Sequence, residues 1–248
     1  MRISIEIIPR VKETIVSNLE LIKSNFPTVD AVNIPDLPKY NIRSWEACSY
    51  VKQYYNNSIP HIRAIDINLK EHLAMADIIN EIDIQEILVV SGDSPQEITK
   101  KIYPTTSIDA IKKFKKELPD IKVYAAIDQY RTSFKKELDY INAKIDVGAD
   151  GFFFQPFFDL RLLGMYAEKL NTANVFFGIS PVLSEQSVNY WKIKNNVVFP
   201  SKFLPTMEWN TDFGREVVDF VRTCKGNLYL MPIKVDLVTY LKGMFEGD

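Results

Sequence analysis

The chain has 248 residues, with 30 Lys and Arg against 32 Asp and Glu, so its net charge is −2. Near-neutrality argues against a nucleic-acid binder, which needs a basic face to neutralise phosphates. No apolar run approaches the roughly 20 residues that cross a bilayer, and the first residues, Met1–Pro9, look like a strand and not like a secretory signal. We therefore expect a cytoplasmic protein with no membrane and no nucleic-acid partner.

Cysteine and histidine are scarce. Cys48 and Cys224 lie far apart and have no metal-binding spacing, so we expect two reduced thiols. Two histidines leave no room for a His-rich metal site, and no metal is predicted.

Short β-branched runs alternate with amphipathic stretches from end to end. Strands are predicted at Ile3–Pro9, Ala31–Pro35, His61–Ile67, Glu86–Ser91, Lys122–Ile127, Gly151–Gln155, Val175–Ile179 and Leu228–Ile233. Helical spacing of apolar residues predicts helices over Val11–Phe26 and Ser133–Val147. Val197–Phe213 is the least regular stretch, and we expect a loop or short helix there.

Eight strand–helix repeats in about 250 residues are typical of a (β/α)8 TIM barrel, which is our fold prediction. A doubly wound sheet that binds a dinucleotide would need a glycine-rich turn. The sequence has no GxGxxG, no GxxxxGK and only nine glycines. We see no linker or repeat, so we predict a single domain over residues 1–248.

Glu6 is the first candidate site residue. Strand side chains alternate, so Glu6 and Ser4 face away from the apolar set Ile3, Ile5 and Ile7. This pattern directs Glu6 into the barrel, where loss of water would raise its pKa and suit a general acid. The alternative is a buried carboxylate that is hydrogen-bonded to a neighbouring strand.

Other polar residues fall at predicted strand ends, where barrels place catalytic groups. Asp93 follows Gly92 after the fourth strand and is either a ligand contact or ordinary turn chemistry. Gln155 ends the sixth strand among aromatic residues that we expect to be core, and its amide can donate and accept. His61, which begins the third predicted strand, is either a ligand contact or a structural partner.

These segments together resemble the methylenetetrahydrofolate reductase family over nearly the whole chain. The resemblance lies, in family order, in Ser4–Pro9, Pro60-His61, Ser91-Gly92-Asp93-Ser94-Pro95, Lys144–Asp150, Gln155–Asp159 and Gly178–Val182. The last three segments, with matching order and spacing, are the most specific.

This resemblance implies a (β/α)8 barrel that holds FAD and passes a hydride from NAD(P)H through the flavin to 5,10-methylenetetrahydrofolate, giving 5-methyltetrahydrofolate. It implies that Glu6 is the acid that protonates the folate, and that Asp93 and Gln155 contact the pterin. The residues that it places around the flavin and its phosphates are His61, Ser91, Gly92, Asp93 and Lys144.

The sequence also departs from the family pattern. Ser91 stands where the family has an arginine, and Asp128-Gln129-Tyr130-Arg131 replaces the family's Pro-Glu-x-His, with Tyr130 or Arg131 as a possible substitute contact. Ile65 and Ile67 replace arginines of the branch that Val32–Asp36 resembles. This branch includes domains that are fused to or partnered with other one-carbon enzymes. FMN, or no flavin, is therefore an alternative to FAD.

Three functions stay open at this point. The first is a flavin-dependent reductase of a folate-bound one-carbon unit, which receives electrons from NAD(P)H or a partner protein. The second is a flavin-poor folate-binding barrel that acts as a methyltetrahydrofolate-binding protein or as a subunit of a one-carbon enzyme complex. The partners expected are folate and either a second copy of the chain or such a complex. The third function, an aldolase-like barrel, would need a Schiff-base lysine inside a strand. It is disfavoured because Lys122 and Lys234 lie only at strand edges.

Overall fold

The structure is a computed structural model that describes residues 1–93 and 101–245. Ser94 and Pro95, which the sequence places in the turn after the fourth strand, lie outside the described residues.

In the described part of the chain, eight strands follow one another in sequence order and close into a parallel barrel. They are β1 (Ile3–Glu6), β2 (Ala31–Ile34), β3 (Asn57–Arg63), β4 (Glu86–Val90), β5 (Lys122–Ile127), β6 (Gly151–Pro156), β7 (Val175–Ile179) and β8 (Asn227–Leu230). The predicted (β/α)8 barrel is confirmed.

Helices lie between the strands. They are α1 (Lys12–Asn25), α2 (Ser44–Val51), α3 (Ala76–Glu81), α4 (Ser107–Glu117), α5 (Phe134–Asp146), α6 (Leu160–Ala167), α7 (Glu185–Asn195), α8 (Met207–Thr223) and α9 (Leu237–Phe245). In α1 the predicted stripe of Ile15, Leu19 and Ile22 is completely buried, as expected for the inner face of an amphipathic helix.

Two predictions of element position differ most from the structure. β3 begins at Asn57 and not at His61, because Asn57 and Ser58 already pair with Ala31 and Val32 of β2. The stretch predicted as a loop or short helix contains the start of α8, a helix of 17 residues. Its buried face includes Asn210, Thr211 and Gly214, and these polar and small residues hide the apolar periodicity.

The chain divides into two compact units, which we name after a strand that each contains. The β3 unit comprises Glu6–Ala126 and Leu138–Phe152, and the β7 unit comprises Met1–Ile5, Ile127–Glu137 and Phe153–Asp248. The single domain over residues 1–248 stays a prediction.

The core of the β7 unit is aromatic, as the sequence predicted for the segment around Gln155. Phe153 of β6 stacks on Phe176 of β7 with ring centroids 4.1 Å apart, and Phe154 stacks on Phe177 at 5.6 Å. Gly178 allows β6 and β7 to approach closely, since a Cβ there would lie 2.4 Å from the Phe154 carbonyl oxygen.

Candidate functional site

Glu6 ends β1 and is partly exposed, between the buried Ile5 and Ile7. The next residue, Ile7, donates its N–H to the carbonyl of Asn33 at 2.9 Å, so Glu6 lies beside the end of β2. Glu6 is therefore less buried than the alternative considered from the sequence, a buried carboxylate that is hydrogen-bonded to a neighbouring strand. The acid role of Glu6 stays a prediction.

His61 lies near the carboxyl end of β3, and not at its start. Its Nε2 atom is 3.1 Å from Nδ2 of Asn33, and both residues are buried. Since an amide nitrogen can only donate, Nε2 accepts and Nδ1 carries the proton of the neutral ring. Burial lowers the pKa of His61 to about 3, so this imidazole brings no positive charge to the site at neutral pH.

Arg63, the last residue of β3, was missed by the sequence analysis. It is buried, and its Nη2 atom donates to the Asp93 carbonyl oxygen at 2.7 Å. Gly92 has φ +84°, and a Cβ there would lie 2.9 Å from Ile65 Cγ1 and 3.1 Å from Arg63 Cβ. Glycine is therefore required at this turn. The Asp93 and Ser91 side chains are exposed.

Asp36, Arg43 and Asp66 extend this arrangement into a charged network. Arg43 donates to both carboxylate oxygens of Asp36, at 2.9 and 2.5 Å, and to Asp66 Oδ2 at 3.0 Å. Asp66 Oδ2 is also 3.3 Å from Arg63 Nε. Two arginines thus meet two aspartates, and the four formal charges cancel. The signal available in the sequence was only the clustering of these charges after β2 and β3.

Lys144, which the sequence placed near the flavin phosphates, is buried in the last turn of α5. Its Nζ atom donates to the Ala126 carbonyl oxygen at 2.7 Å and lies 4.1 Å from the centre of the Tyr140 ring. These contacts tie α5 to the end of β5, which gives Lys144 a structural contact in this fold.

In the described residues, three cationic side chains near the strand ends already have partners in the protein, which makes them poorly suited to the diphosphate of FAD or the phosphate of FMN. Phosphate groups are bound by cationic side chains or by clusters of backbone N–H groups that can turn toward them. Lys144, Arg63 and Arg43 all bind acceptors of the protein itself, and the two arginines are balanced by Asp36 and Asp66. The flavin that the resemblance implies finds no cationic partner in these three side chains.

In the β7 unit, the carboxyl end of β6 is held by two residues of the loop after β5. Gln129 is buried, and its Nε2 atom donates to the carbonyls of Gln155, at 2.9 Å, and Pro156, at 3.2 Å. The Tyr130 hydroxyl donates to the Pro156 carbonyl at 3.0 Å, and burial raises the Tyr130 pKa. Gln155 itself has a partly exposed side chain. Gln129 and Tyr130 replace a family motif, and that departure was the signal in the sequence.

Two buried polar atoms follow strands of the β7 unit without a hydrogen-bond partner, namely Gln129 Oε1 after β5 and Ser180 Oγ after β7. Leaving a buried polar atom without a hydrogen bond costs about 1–3 kcal/mol of stability. Such atoms occur where a ligand or an ordered water supplies the missing partner. Arg131, offered by the sequence as a substitute contact in place of the family's Pro-Glu-x-His motif, pairs with the buried Glu137 at 2.9 Å.

The segment between β7 and β8 adds an aromatic cluster to the β7 unit. Phe158 packs with Trp191 of α7 at 5.6 Å and with Phe199 at 4.8 Å between ring centroids. Tyr130 and Phe203 pack against the same cluster. The α7 segment therefore covers the residues that follow β6 and β7.

Among residues 1–93 and 101–245, no three His, Cys, Asp or Glu side chains are placed to hold a metal ion together. No helix of the described chain is both long and apolar enough to span a bilayer.

The fold and these strand-end residues define a class: a (β/α)8 barrel whose candidate site, in the β3 unit, is built from carboxylates, the Asn33 amide and a neutral imidazole. The structure brings His61 together with Asn33, and Gly92 and Asp93 together with Arg63. Lys144 instead binds the Ala126 carbonyl. Gln155 belongs to the β7 unit and not to the β3 unit.

The family follows from the sequence comparison. The family model of methylenetetrahydrofolate reductase matches residues 10–217, and the chain belongs to this family. The comparison with curated proteins finds no match.

Solved structures show the same fold at low identity. A Clostridium thermocellum protein, described as uncharacterized and as binding two copies of 5-methyl-5,6,7,8-tetrahydrofolic acid, is similar with a TM-score of 0.64 and 15% identity, over 98% of this chain and 92% of that chain. A 2,3-dimethylmalate lyase has a TM-score of 0.57 and 11% identity, over 93% of this chain and 73% of that chain. An oxaloacetate acetylhydrolase has a TM-score of 0.57 and 10% identity, over 94% and 75%.

Proposed function

We propose that this chain binds a reduced folate that carries a one-carbon unit, of the 5-methyltetrahydrofolate class, in the β3 unit at the carboxyl ends of β2, β3 and β4. Membership of the methylenetetrahydrofolate reductase family supports a folate ligand. The Clostridium thermocellum protein of similar fold, described as binding 5-methyltetrahydrofolate, supports the same ligand class.

The observation that carries this proposal is the charge balance of the site. Arg43 and Arg63 are matched by Asp36 and Asp66, His61 is neutral, and the Asp93 carboxylate is exposed. A reduced pterin offers N–H donors along one edge, which suit a carboxylate acceptor. A flavin phosphate would instead need positive charge that the protein has not already paired.

The direct test is calorimetric titration of the purified protein with 5-methyltetrahydrofolate. Asp93→Asn removes the charge of the proposed pterin contact, and Asp139→Asn, on the exposed face of α5, is the matched control. We expect affinity to fall roughly 10- to 100-fold in the first variant, since hydrogen bonds to charged groups contribute about 1.5–3 kcal/mol.

The control variant should bind as the wild type does. A wild-type protein that binds no reduced folate at tens of micromolar would rule out the proposed function. Equal affinities of Asp93→Asn and Asp139→Asn would remove Asp93 from the site.

A second candidate function is flavin-dependent reduction of 5,10-methylenetetrahydrofolate, or the reverse reaction, with NAD(P)H as the electron donor. Family membership favours it, and so does Glu6, a partly exposed carboxylate at the end of β1 where the resemblance places the acid. An absorbance spectrum of the purified protein, recorded before and after addition of FAD and of FMN, tests this candidate. Binding of either flavin, followed by bleaching with NAD(P)H, would favour it over simple folate binding.

Three further expectations from the sequence stay predictions. They are a contact of Gln155 with the pterin, assembly as a homo-oligomer or as a subunit of a one-carbon enzyme complex, and a cytoplasmic location. The amide of Gln155, with one donor and one acceptor side, supports the first of these.

A further inference from the structure

We propose that Arg63 is a positioning residue, which fixes the backbone of Asp93 and thereby directs the Asp93 carboxylate toward the pterin. This inference rests on the proposed folate-binding function. It adds a residue to which neither the sequence pattern nor the comparisons assign a role.

Arg63 reaches from one strand to the loop of the next. It ends β3 and lies in register with Val90, the last residue of β4. From there its Nη2 atom donates to the Asp93 carbonyl oxygen, three residues beyond Val90, at 2.7 Å. A guanidinium bond to a backbone oxygen fixes the peptide and leaves the carboxylate of the same residue, which is exposed, for a ligand.

Two further contacts connect the turn after β4 to the residues at the end of β3. The Ile65 N–H donates to the Ser91 carbonyl at 3.2 Å. Gly92 packs so closely on Ile65 and on Arg63 Cβ that no larger residue fits at its φ of +84°. Ser91, Gly92 and Asp93 therefore all contact residues 63–65.

The guanidinium of Arg63 lies beside the Asp66 carboxylate, although its Nε atom has no hydrogen-bond partner. Asp66 lies 3.3 Å from Arg63 Nε and accepts from Arg43 at 3.0 Å, and Arg43 is in turn held by Asp36. Because its charge is already matched, Arg63 is poorly suited to attract an anionic ligand. The bond from its Nη2 atom to the Asp93 carbonyl suits a role in positioning Asp93.

The test compares Arg63→Met, Arg63→Lys, Asp93→Asn and the double variant Arg63→Met with Asp93→Asn, all titrated with 5-methyltetrahydrofolate. Arg222→Met, at the exposed end of α8, is the matched control. We expect Arg63→Met to weaken binding roughly tenfold or more, as loss of a contact to a charged group does. Arg63→Lys, which keeps one donor for the Asp93 carbonyl, should recover part of the affinity.

The double variant separates positioning from a general structural role. If Arg63 acts through Asp93, the double variant should bind no more weakly than Asp93→Asn alone, because effects within one linked pair are not additive. Additive losses, or an Arg63→Met protein with wild-type affinity, would overturn the inference. A larger drop in the affinity of Arg63→Met for inorganic phosphate than for folate would also overturn it, because Arg63 would then be an anion contact.

A measurement without ligand distinguishes this inference from the proposed function. Hydrogen–deuterium exchange of the amides of residues 91–93 should be faster in Arg63→Met than in the wild type and unchanged in Arg222→Met. If the wild type binds no folate, the proposed function fails, and the exchange result still decides whether Arg63 holds the turn. Unchanged exchange in Arg63→Met would contradict the inference whatever the protein binds.

Discussion

The strand ends of the two units carry different chemistry. In the β3 unit they carry paired charges, Arg43 and Arg63 with Asp36 and Asp66. In the β7 unit they carry amides, a hydroxyl and aromatic rings, namely Gln129, Gln155, Ser180 and Phe158. Both units repeat the same strand–helix pattern, so the difference comes from residues at the strand ends and in the loops that follow them. These residues can vary without disturbing the barrel, which is why this fold accommodates many functions.

The strand interiors differ as well. Stacked phenylalanines fill β6 and β7, whereas aliphatic residues such as Ile59, Ile62 and Val89 fill β3 and β4. Large planar rings leave little room for adjustment between neighbouring strands. We therefore expect the β7 unit to be most sensitive to added volume and the β3 unit to lost charge.

The largest effect should come from Gly178→Ala in the β7 unit. The new Cβ would lie 2.4 Å from the Phe154 carbonyl oxygen and 2.9 Å from that of Gln155, and backbone atoms cannot rotate away. We expect the free energy of unfolding, measured with urea, to fall by about 3 kcal/mol. Gly164→Ala in α6 is the control, since its Cβ would meet nothing closer than 3.8 Å.

That control variant should gain up to about 1 kcal/mol from higher helix propensity. Similar losses in the two variants would show that the close approach of β6 and β7 is not what makes Gly178 necessary.

A smaller loss should follow Asp36→Asn in the β3 unit. Asp36 is buried and accepts from Arg43 through both carboxylate oxygens and from the Ser44 N–H. Removal of its charge should lower the free energy of unfolding by about 1–2 kcal/mol, because the partner Arg43 is partly exposed and water screens the pair. Arg161→Met, which breaks the exposed pair with Asp159, should leave the melting temperature unchanged. A larger loss of stability in Arg161→Met than in Asp36→Asn would contradict the expectation that the β3 unit is the one sensitive to lost charge.

The sequence predicted most strands well because most contain a short apolar run between turn residues. Phe152–Phe154 and Val175–Ile179, for example, are buried strands in the structure. The ion network was not predictable, since Arg43 meets Asp66 only through the register of β2 with β3 and the path of the loop before α2. Lys144 shows the same limit, because its motif position was recognisable while its partners, Ala126 and Tyr140, depend on packing.

The buried His61 of the β3 unit should make the free energy of unfolding fall in acid. The His61 pKa is about 3 in the folded chain against an ordinary 6.5, so below pH 6.5 the unfolded chain binds the additional proton. The contribution of neutral His61 to the free energy of unfolding is therefore fully present above pH 6.5. It is lost as the pH falls toward 3, by up to about 1.4 kcal/mol per pH unit. Unfolding measured between pH 7 and 4.5 should show a flatter slope in His61→Gln.

His72 provides the control for this slope, because its side chain is fully exposed. His72→Gln should change the slope less than His61→Gln does, because it removes no buried ring. If His61→Gln and the wild type lose stability in parallel, other groups cause the acid sensitivity, and the neutral His61–Asn33 pair does not contribute to it.

The smallest effect on stability should come from Glu6→Gln, and this variant separates the two candidate functions. The amide fills the same volume at a partly exposed position, so we expect the melting temperature and the affinity for 5-methyltetrahydrofolate to stay close to those of the wild type. If the chain reduces methylenetetrahydrofolate and Glu6 supplies the proton, turnover should fall by about 10²–10⁴-fold. Reduction of a bound flavin by NAD(P)H needs no such acid and should persist. A stable Glu6→Gln protein with wild-type turnover would exclude Glu6 as the acid, whereas a large loss of stability would make Glu6 a structural residue of β1.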